Sequence, residues 1–345
     1  MPATIRDVAK AAGVSVATVS RALNGSDSVV AETRQRVLDA AAALRFVPSN
    51  AARSLSLRST QTIGAMLPDL HGEYFSELIR GIDLAARAKG LHLLLSSSHG
   101  DADEAAAALR AMNGRVDGLL LMSPHVDDDF LRGNVPEHLP VVLVNTRLAG
   151  RTHPTFRVDN YGGARTMIGH LLATGRKRIA MIGGPASNPE AVARQQGYVE
   201  AVQAAGQAPL VLPGDFTEAA GWRAGQELLA LDEPPDAVFA CNDMSAIGLL
   251  GALREAGIEV PREMAVCGFD DILLARYMNP PLTTMRVPVV GLGSLAVEAL
   301  ATHIASAGSP PPALDQLLQV ELIQRASTIA VPPPSRPPPE RKAHH

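Results

Sequence analysis

Between Thr62 and Gly268, short apolar runs alternate with longer stretches whose apolar residues recur at helical spacing, and this alternation restricts the chain to few folds. Residues 62–67, 91–96, 118–122 and 141–144 read as strands, with helices over 75–90 and 104–113 between them. A second series follows, with a helix over 162–175, a strand over 178–182, helices over 192–206 and 219–231, and strands over 237–241 and 264–268. Such alternation belongs to parallel sheets covered by helices on both faces, so the fold class is α/β. Two series predict two lobes, with any ligand held beyond the carboxyl ends of the strands.

At 345 residues the chain exceeds one comfortable core, and with only 3% aromatic residues its interior must be filled by aliphatic and alanine side chains. No apolar run approaches the roughly 20 residues of a membrane span. The N-terminus lacks the charged segment and apolar run of a secretion signal, so a cytoplasmic protein without membrane contact is expected. Cys241 and Cys267 each end an apolar strand-like run and are expected as buried free thiols. The net charge of −4 divides unevenly. Residues 1–60 hold eight basic side chains against four acidic ones, which leaves −8 on the remainder. A basic head on an acidic body implies that only the head meets phosphate.

That head carries a second pattern. Thr4 and Asp7 form a capping-box pair, Ile5, Val8, Ala9 and Ala12 share one helical face, and Gly13 can adopt the positive φ of a sharp turn. Ser15 can cap a second helix whose Thr18, Ser20, Arg21 and Asn24 are polar while Val14, Val19 and Leu23 turn inward. A third helix over residues 31–45, with Val37, Leu38, Ala41 and Leu44 on one face, would complete a three-helix core. Two short helices joined by a glycine turn make a unit whose second helix enters the DNA major groove.

Taken together, Asp7-Val8-Ala9, Gly13-Val14-Ser15, Thr18-Val19-Ser20-Arg21, Asn24 and Pro48-Ser49 through Ala52-Arg53-Ser54-Leu55 resemble the LacI/GalR family of bacterial transcriptional regulators. Val116-Asp117-Gly118-Leu119, Cys241-Asn242-Asp243, Gly268-Phe269-Asp270-Asp271 and Pro281-Leu282-Thr283-Thr284 extend the resemblance over roughly residues 3–330. It implies a helix-turn-helix domain (1–46), a hinge helix and linker (47–59), a two-lobed periplasmic-binding-protein-like core (60–330) and a Pro-rich tail (331–345). Three crossovers near residues 159–161, 287–291 and 317–323 would join the lobes. The implied partners are double-stranded operator DNA, a second copy of the chain and a small-molecule effector.

By the same resemblance Val16, Ala17 and Arg21 would face base edges, and Thr4, Ser15, Ser20 and Asn24 would contact phosphates. Arg21 has a warrant of its own, because a guanidinium matches guanine O6 and N7 bidentately. In the hinge, Leu55 would wedge into the central minor-groove step and Ala52 would permit close approach. Val30 stands where relatives carry a capping serine, which leaves Thr33 to cap the third helix or its start to fray.

The effector would sit among Tyr74, Phe75, Arg194, Phe216, Asn242 and Asp270. Their fork donor, carboxylate, amide and aromatic faces suit a polyhydroxylated ligand. Asn188 and Glu190 replace the Arg and Thr of purine-binding relatives, which favours a sugar or sugar derivative. A catalytic or metal-binding spacing is absent from the sequence, so neither an enzyme nor a cofactor is expected. Gly291-Leu292-Gly293-Ser294-Leu295-Ala296 fits GxGxxA nominally but is expected to open a lobe-spanning helix. Two other readings share the core. A solute-binding receptor would need a secretion signal and no basic head, and a sugar-processing enzyme would need a placed acid, base or nucleophile.

Overall fold

The computed structural model describes residues 3–23, 28–46, 59–123, 127–146, 153–306 and 314–329. The head is three helices, α1 (Ile5–Ala12), α2 (Val16–Leu23) and α3 (Ala31–Ala43). Thr4 and Asp7 close the capping box, and the Thr4 amide donates to Asp7 Oδ2 at 2.8 Å. Those bonds hold the Asp7 carboxyl below its usual range. Gly13 ends α1 in the left-handed conformation at φ 66°, and Ser15 Oγ accepts from the Thr18 amide at 3.1 Å to start α2.

Val8, Val19 and Val37 are fully buried at the centre of the head, with Ile5, Val14 and Leu23 packed around them. Two expected core positions fall outside it, since Leu38 is 43% and Leu44 37% exposed. The inward row of α3 is Val37 and Ala41, one turn apart, and Leu38 lies about 100° round the helix from it. Val30 does sit at the N-cap of α3 without a side-chain bond, and neither Thr33 nor any other side chain caps that helix.

The first lobe is a parallel sheet in the order β11-β5-β4-β3-β1-β2, formed by β1 (Thr62–Leu67), β2 (His92–Ser97), β3 (Gly118–Leu121), β4 (Val141–Val144), β5 (Thr155–Val158) and β11 (Asp315–Leu318). Helices α4 (Glu73–Ala88), α5 (Ala102–Met112) and α6 (Asp128–Asn134) join its strands. The second lobe is a parallel sheet in the order β7-β6-β8-β9, from β6 (Ile179–Ile182), β7 (Leu210–Leu212), β8 (Ala237–Ala240) and β9 (Ala265–Cys267). It carries α7 (Asn160–Ala173), α8 (Pro189–Ala204), α9 (Glu218–Leu229) and α10 (Asp243–Glu255). β6 and β8 are buried along their whole length, as a strand covered on both faces requires.

The chain leaves the first sheet after β5 and returns after β10 (Thr284–Arg286) into α11 (Val289–Ala305). It crosses a third time from β11 to β12 (Glu321–Ile323), which pairs antiparallel with β10. α11 contains the GxGxxA-like segment and does not span the lobes, because it packs on α4 and on the first sheet. A Cβ on Gly293 would come within 2.8 Å of the Leu78 carbonyl oxygen, and one on Gly81 would collide with the Val290 carbonyl. These glycines therefore serve the close approach of two helices. Cys241 and Cys267 are buried free thiols, and burial pushes the Cys241 thiol up to about 12.

Where the linker enters the core, Asp117 gathers four hydrogen bonds. Ser59 Oγ and the Gln61 amide donate to its Oδ2 at 2.6 and 2.8 Å, and the Thr60 amide and hydroxyl to its Oδ1 at 2.6 and 2.9 Å. The polar stretch before β1 is thus tied to the start of β3 by one carboxylate.

Candidate functional site

The two sheets direct their carboxyl ends at a shared cleft. From the first lobe, Tyr74 and Phe75 stand at the start of α4 with ring centroids 5.4 Å apart, edge to face. Asn145 follows β4 at φ 49° and donates through Nδ2 both to Tyr74 Oη at 3.3 Å and to Glu190 Oε1 at 2.7 Å. Because Glu190 lies on the first turn of α8, that amide spans the two lobes. The Leu273 amide of the second lobe also donates to the Glu73 carboxylate of the first.

Arg194, 4% exposed, is the centre of the second-lobe side. Its Nε donates to Asn160 Oδ1 at 2.8 Å, Nη1 to the Cys241 carbonyl at 2.6 Å and Nη2 to Asp270 Oδ1 at 3.3 Å. The guanidinium lies 3.8 Å from the centroid of the Phe269 ring, a cation–π contact. Burial pushes the Asp270 carboxyl up to about 7, with Arg194 opposing the rise and Glu190 adding to it. Burial also raises Glu190, against the pull of Arg194 and Asn160. The Tyr74 hydroxyl goes up for the same reason, with Glu190 and Asp270 adding.

Asp270 is held in a costly backbone state at φ 117°, which for a residue with a Cβ is worth roughly 1–3 kcal/mol. The neighbouring Asp271 supplies the restraint. Its side chain, 1% exposed, accepts from Arg286 Nε at 2.7 Å and Arg325 Nη2 at 2.6 Å. The buried Asp243 holds the same loop, accepting from the Ile272 amide at 2.9 Å and from Thr284 Oγ1 at 2.6 Å.

Tyr74, Arg194 and Asp270 thus converge, linked through Asn145 and Glu190. Phe75 packs against the hydrophobic core beside Tyr74. Phe216, at φ 69°, lies over Gly184 and accepts from Asn242 Nδ2 at 2.9 Å. Asn242 has its other function occupied too, since Oδ1 caps α10 through the Ser245 amide at 3.0 Å. Sequence reasoning passed over Asn145, Asn160 and Phe269, and it considered Glu190 only as a departure from the purine pattern. Their signal was position, because the asparagines stand immediately after or close behind apolar runs that end at the cleft.

A cavity of about 450 Å³ opens against Tyr74, Asp270 and the start of α11. A larger hollow of about 680 Å³ lies between α9 and α10, lined by Trp222, Ile247, Leu250 and Met278. It contains none of the buried polar groups that could orient a ligand, so the smaller cavity is the candidate site.

In the head, Val16 is 41% exposed, Ala17 and Arg21 are exposed, and Ser20 is half-buried. These four residues share the outward face of α2, while Thr4 and Ser15 sit exposed at the starts of α1 and α2. Asn24, Ala52 and Leu55 lie outside the described residues. Among the described residues, no helix is long and apolar enough to cross a membrane.

Residues 4–49 match the family described as bacterial regulatory proteins, lacI family, and residues 168–328 match a periplasmic binding protein-like domain. The chain is 35% identical over 337 residues to the HTH-type transcriptional repressor CytR of Escherichia coli, covering 96% of this chain and 97% of the relative. It is 34% identical over 310 residues to the repressor PurR of Mannheimia succiniciproducens, covering 88% and 92% of the two chains. A crystal structure of the lac repressor dimer bound to operator and the anti-inducer ONPF superposes with a TM-score of 0.85 at 28% identity, covering 96% of this chain and 100% of that one. A complex of the regulator CelR with cellobiose gives a TM-score of 0.69 at 33% identity, covering 94% and 99%.

Proposed function

The chain belongs to the LacI family of bacterial regulatory proteins, and from that premise we propose a cytoplasmic repressor that binds a near-palindromic operator as a homodimer and answers to a sugar-type effector. The bond between Asn145 and Glu190 carries the effector part of this reading. A ligand that competes for either group changes the free energy of one lobe arrangement relative to another, which is the requirement for ligand control.

In the head, Arg21 would read a base edge, Val16 and Ala17 would touch a thymine methyl or sugar, and Thr4, Ser15, Ser20 and Asn24 would hold phosphates. Leu55, with Ala52, would act in the minor groove. In the cleft, Tyr74 and Phe75 would pack on a sugar ring while Asp270 accepts from its hydroxyls, with Arg194, Phe216 and Asn242 shaping the wall. The exposed apolar strip of Leu273, Leu274 and Tyr277 beside Met278 is the surface proposed for the second subunit, because solvent alone leaves it unsatisfied. The domain limits follow the same division, with a head to residue 46, a hinge to 59, a core to 330 and a tail beyond.

The test is enrichment of a random duplex library on the full-length protein. A near-palindrome with two half-sites is the expected product, and Asp270→Ala should hold that duplex whatever sugar is added. Recovery of no preferred sequence would refute the regulator reading.

A further inference from the structure

We propose that Glu190 makes the cleft a site for uncharged, hydroxyl-bearing ligands and turns away their phosphorylated or carboxylated forms. The inference rests on the effector reading above and narrows it to a chemical class. An anion in a protein needs a free cation, a bidentate arginine or an uncapped helix N-terminus. The cleft withholds each of these.

Arg194 is its buried cation, and three of its N–H groups already serve Asn160, the Cys241 carbonyl and Asp270 while its face covers Phe269. The arginines that line the opening are engaged as well. Arg80 pairs with Glu77, and Arg276 and Arg286 pair with Asp271. Three second-lobe helices begin at the cleft with their first amides taken by their own caps. Asp159 holds the Gly162 amide, Asn188 holds those of Glu190 and Ala191 at 2.9 and 3.0 Å, and Asn242 holds that of Ser245.

Acceptors remain. Glu190 and Asp270 stand on either side of a single guanidinium, so the pocket carries an excess negative charge and lone pairs that require donors. Hydroxyl groups supply donors at no cost in charge, whereas a phosphate or carboxylate brings another anion into a desolvated site already holding two. Like-charge juxtaposition of this kind costs several kcal/mol, a loss of roughly 100-fold or more in affinity.

The experiment uses the full-length protein and matched probe pairs in calorimetry: D-ribose with D-ribose 5-phosphate, D-glucose with D-glucuronate, and uridine with uridine 5′-monophosphate. At least one neutral member should bind, with its anionic partner about 100-fold weaker or worse. The pairs also separate a free sugar from a nucleoside as the source of the hydroxyls. Glu190→Gln keeps the size and the Asn145 neighbour, so it should retain the neutral ligand within about tenfold and close the gap to the anion by tenfold or more. Three results overturn the proposal: an anion that binds as tightly as its neutral partner, a gap unchanged in Glu190→Gln, or no binding by any neutral probe. Operator retention by the ligand-free protein, measured alongside, separates the two levels. If it persists, only the ligand class has failed; if it is absent, the regulator reading has failed first.

Discussion

Replacing Asp270 by asparagine should stabilise the protein in a pH-dependent way. In the folded chain this carboxyl is pushed up to about 7 from 3.8, chiefly by burial, with Arg194 opposing and Glu190 adding. Between those limits the native state holds a proton that the unfolded chain releases. Stability from this group is therefore complete below pH 4, falls as pH rises to 7 and is flat above. A separation of about 3 pH units corresponds to roughly 4 kcal/mol. Glu190 shares the burden, so about 2–4 kcal/mol should be recovered when the group cannot ionise.

Asparagine resembles the protonated carboxyl in size and carries no charge. Variant and parent should then have similar stability near pH 4, with the variant gaining steadily up to pH 8. Because Arg194 lacks a charged partner in both proteins at acid pH, that loss cancels in the comparison. Urea unfolding at half-unit pH intervals, followed by the fluorescence of the single tryptophan, Trp222 on α9, measures the difference. A difference that is constant with pH, or that grows toward acid, would refute the reasoning. A variant that is more stable yet blind to ligand would mark Asp270 as a group whose burial serves binding at the expense of stability.

Asp117→Ala removes the acceptor of four linker hydrogen bonds and should cost about 1–3 kcal/mol in urea unfolding, with a larger proportional loss in operator affinity than in ligand affinity. Equal losses in both would make the clamp purely structural. Arg21→Ala should relax choice at one base position per half-site by about 1–3 kcal/mol, read by titrating operator variants, while non-specific affinity changes little. Tyr277, 76% exposed, should break self-association when replaced by aspartate, and sedimentation velocity would show a monomer that keeps native circular dichroism.

The alternation of apolar runs was enough to place most of the framework, because a strand buried on both faces must be apolar throughout and a covering helix must repeat every 3.6 residues. β1 and β4 begin and end at the expected residues, and Thr4, Gly13 and Ser15 work as local capping chemistry that depends on no distant partner. The shorter elements β5, β7, β10, β11 and β12 went unread, since three or four residues carry too little periodicity to stand out. Leu38 and Leu44 were misplaced because a helix of apolar composition has several faces that could turn inward, and only packing against α1 and α2 selects one.

The cleft shows the same division. Residue types at Tyr74, Arg194 and Asp270 indicated hydroxyl recognition, and they do converge. The sequence could not say that Asn242 would use both its donor and its acceptor inside the protein, or that Asn145 would reach Glu190 from the other lobe. Those facts depend on which carboxyl ends of two separate sheets face each other. That arrangement follows from three chain crossings and from burial summed over both lobes, and no local run of residues encodes it.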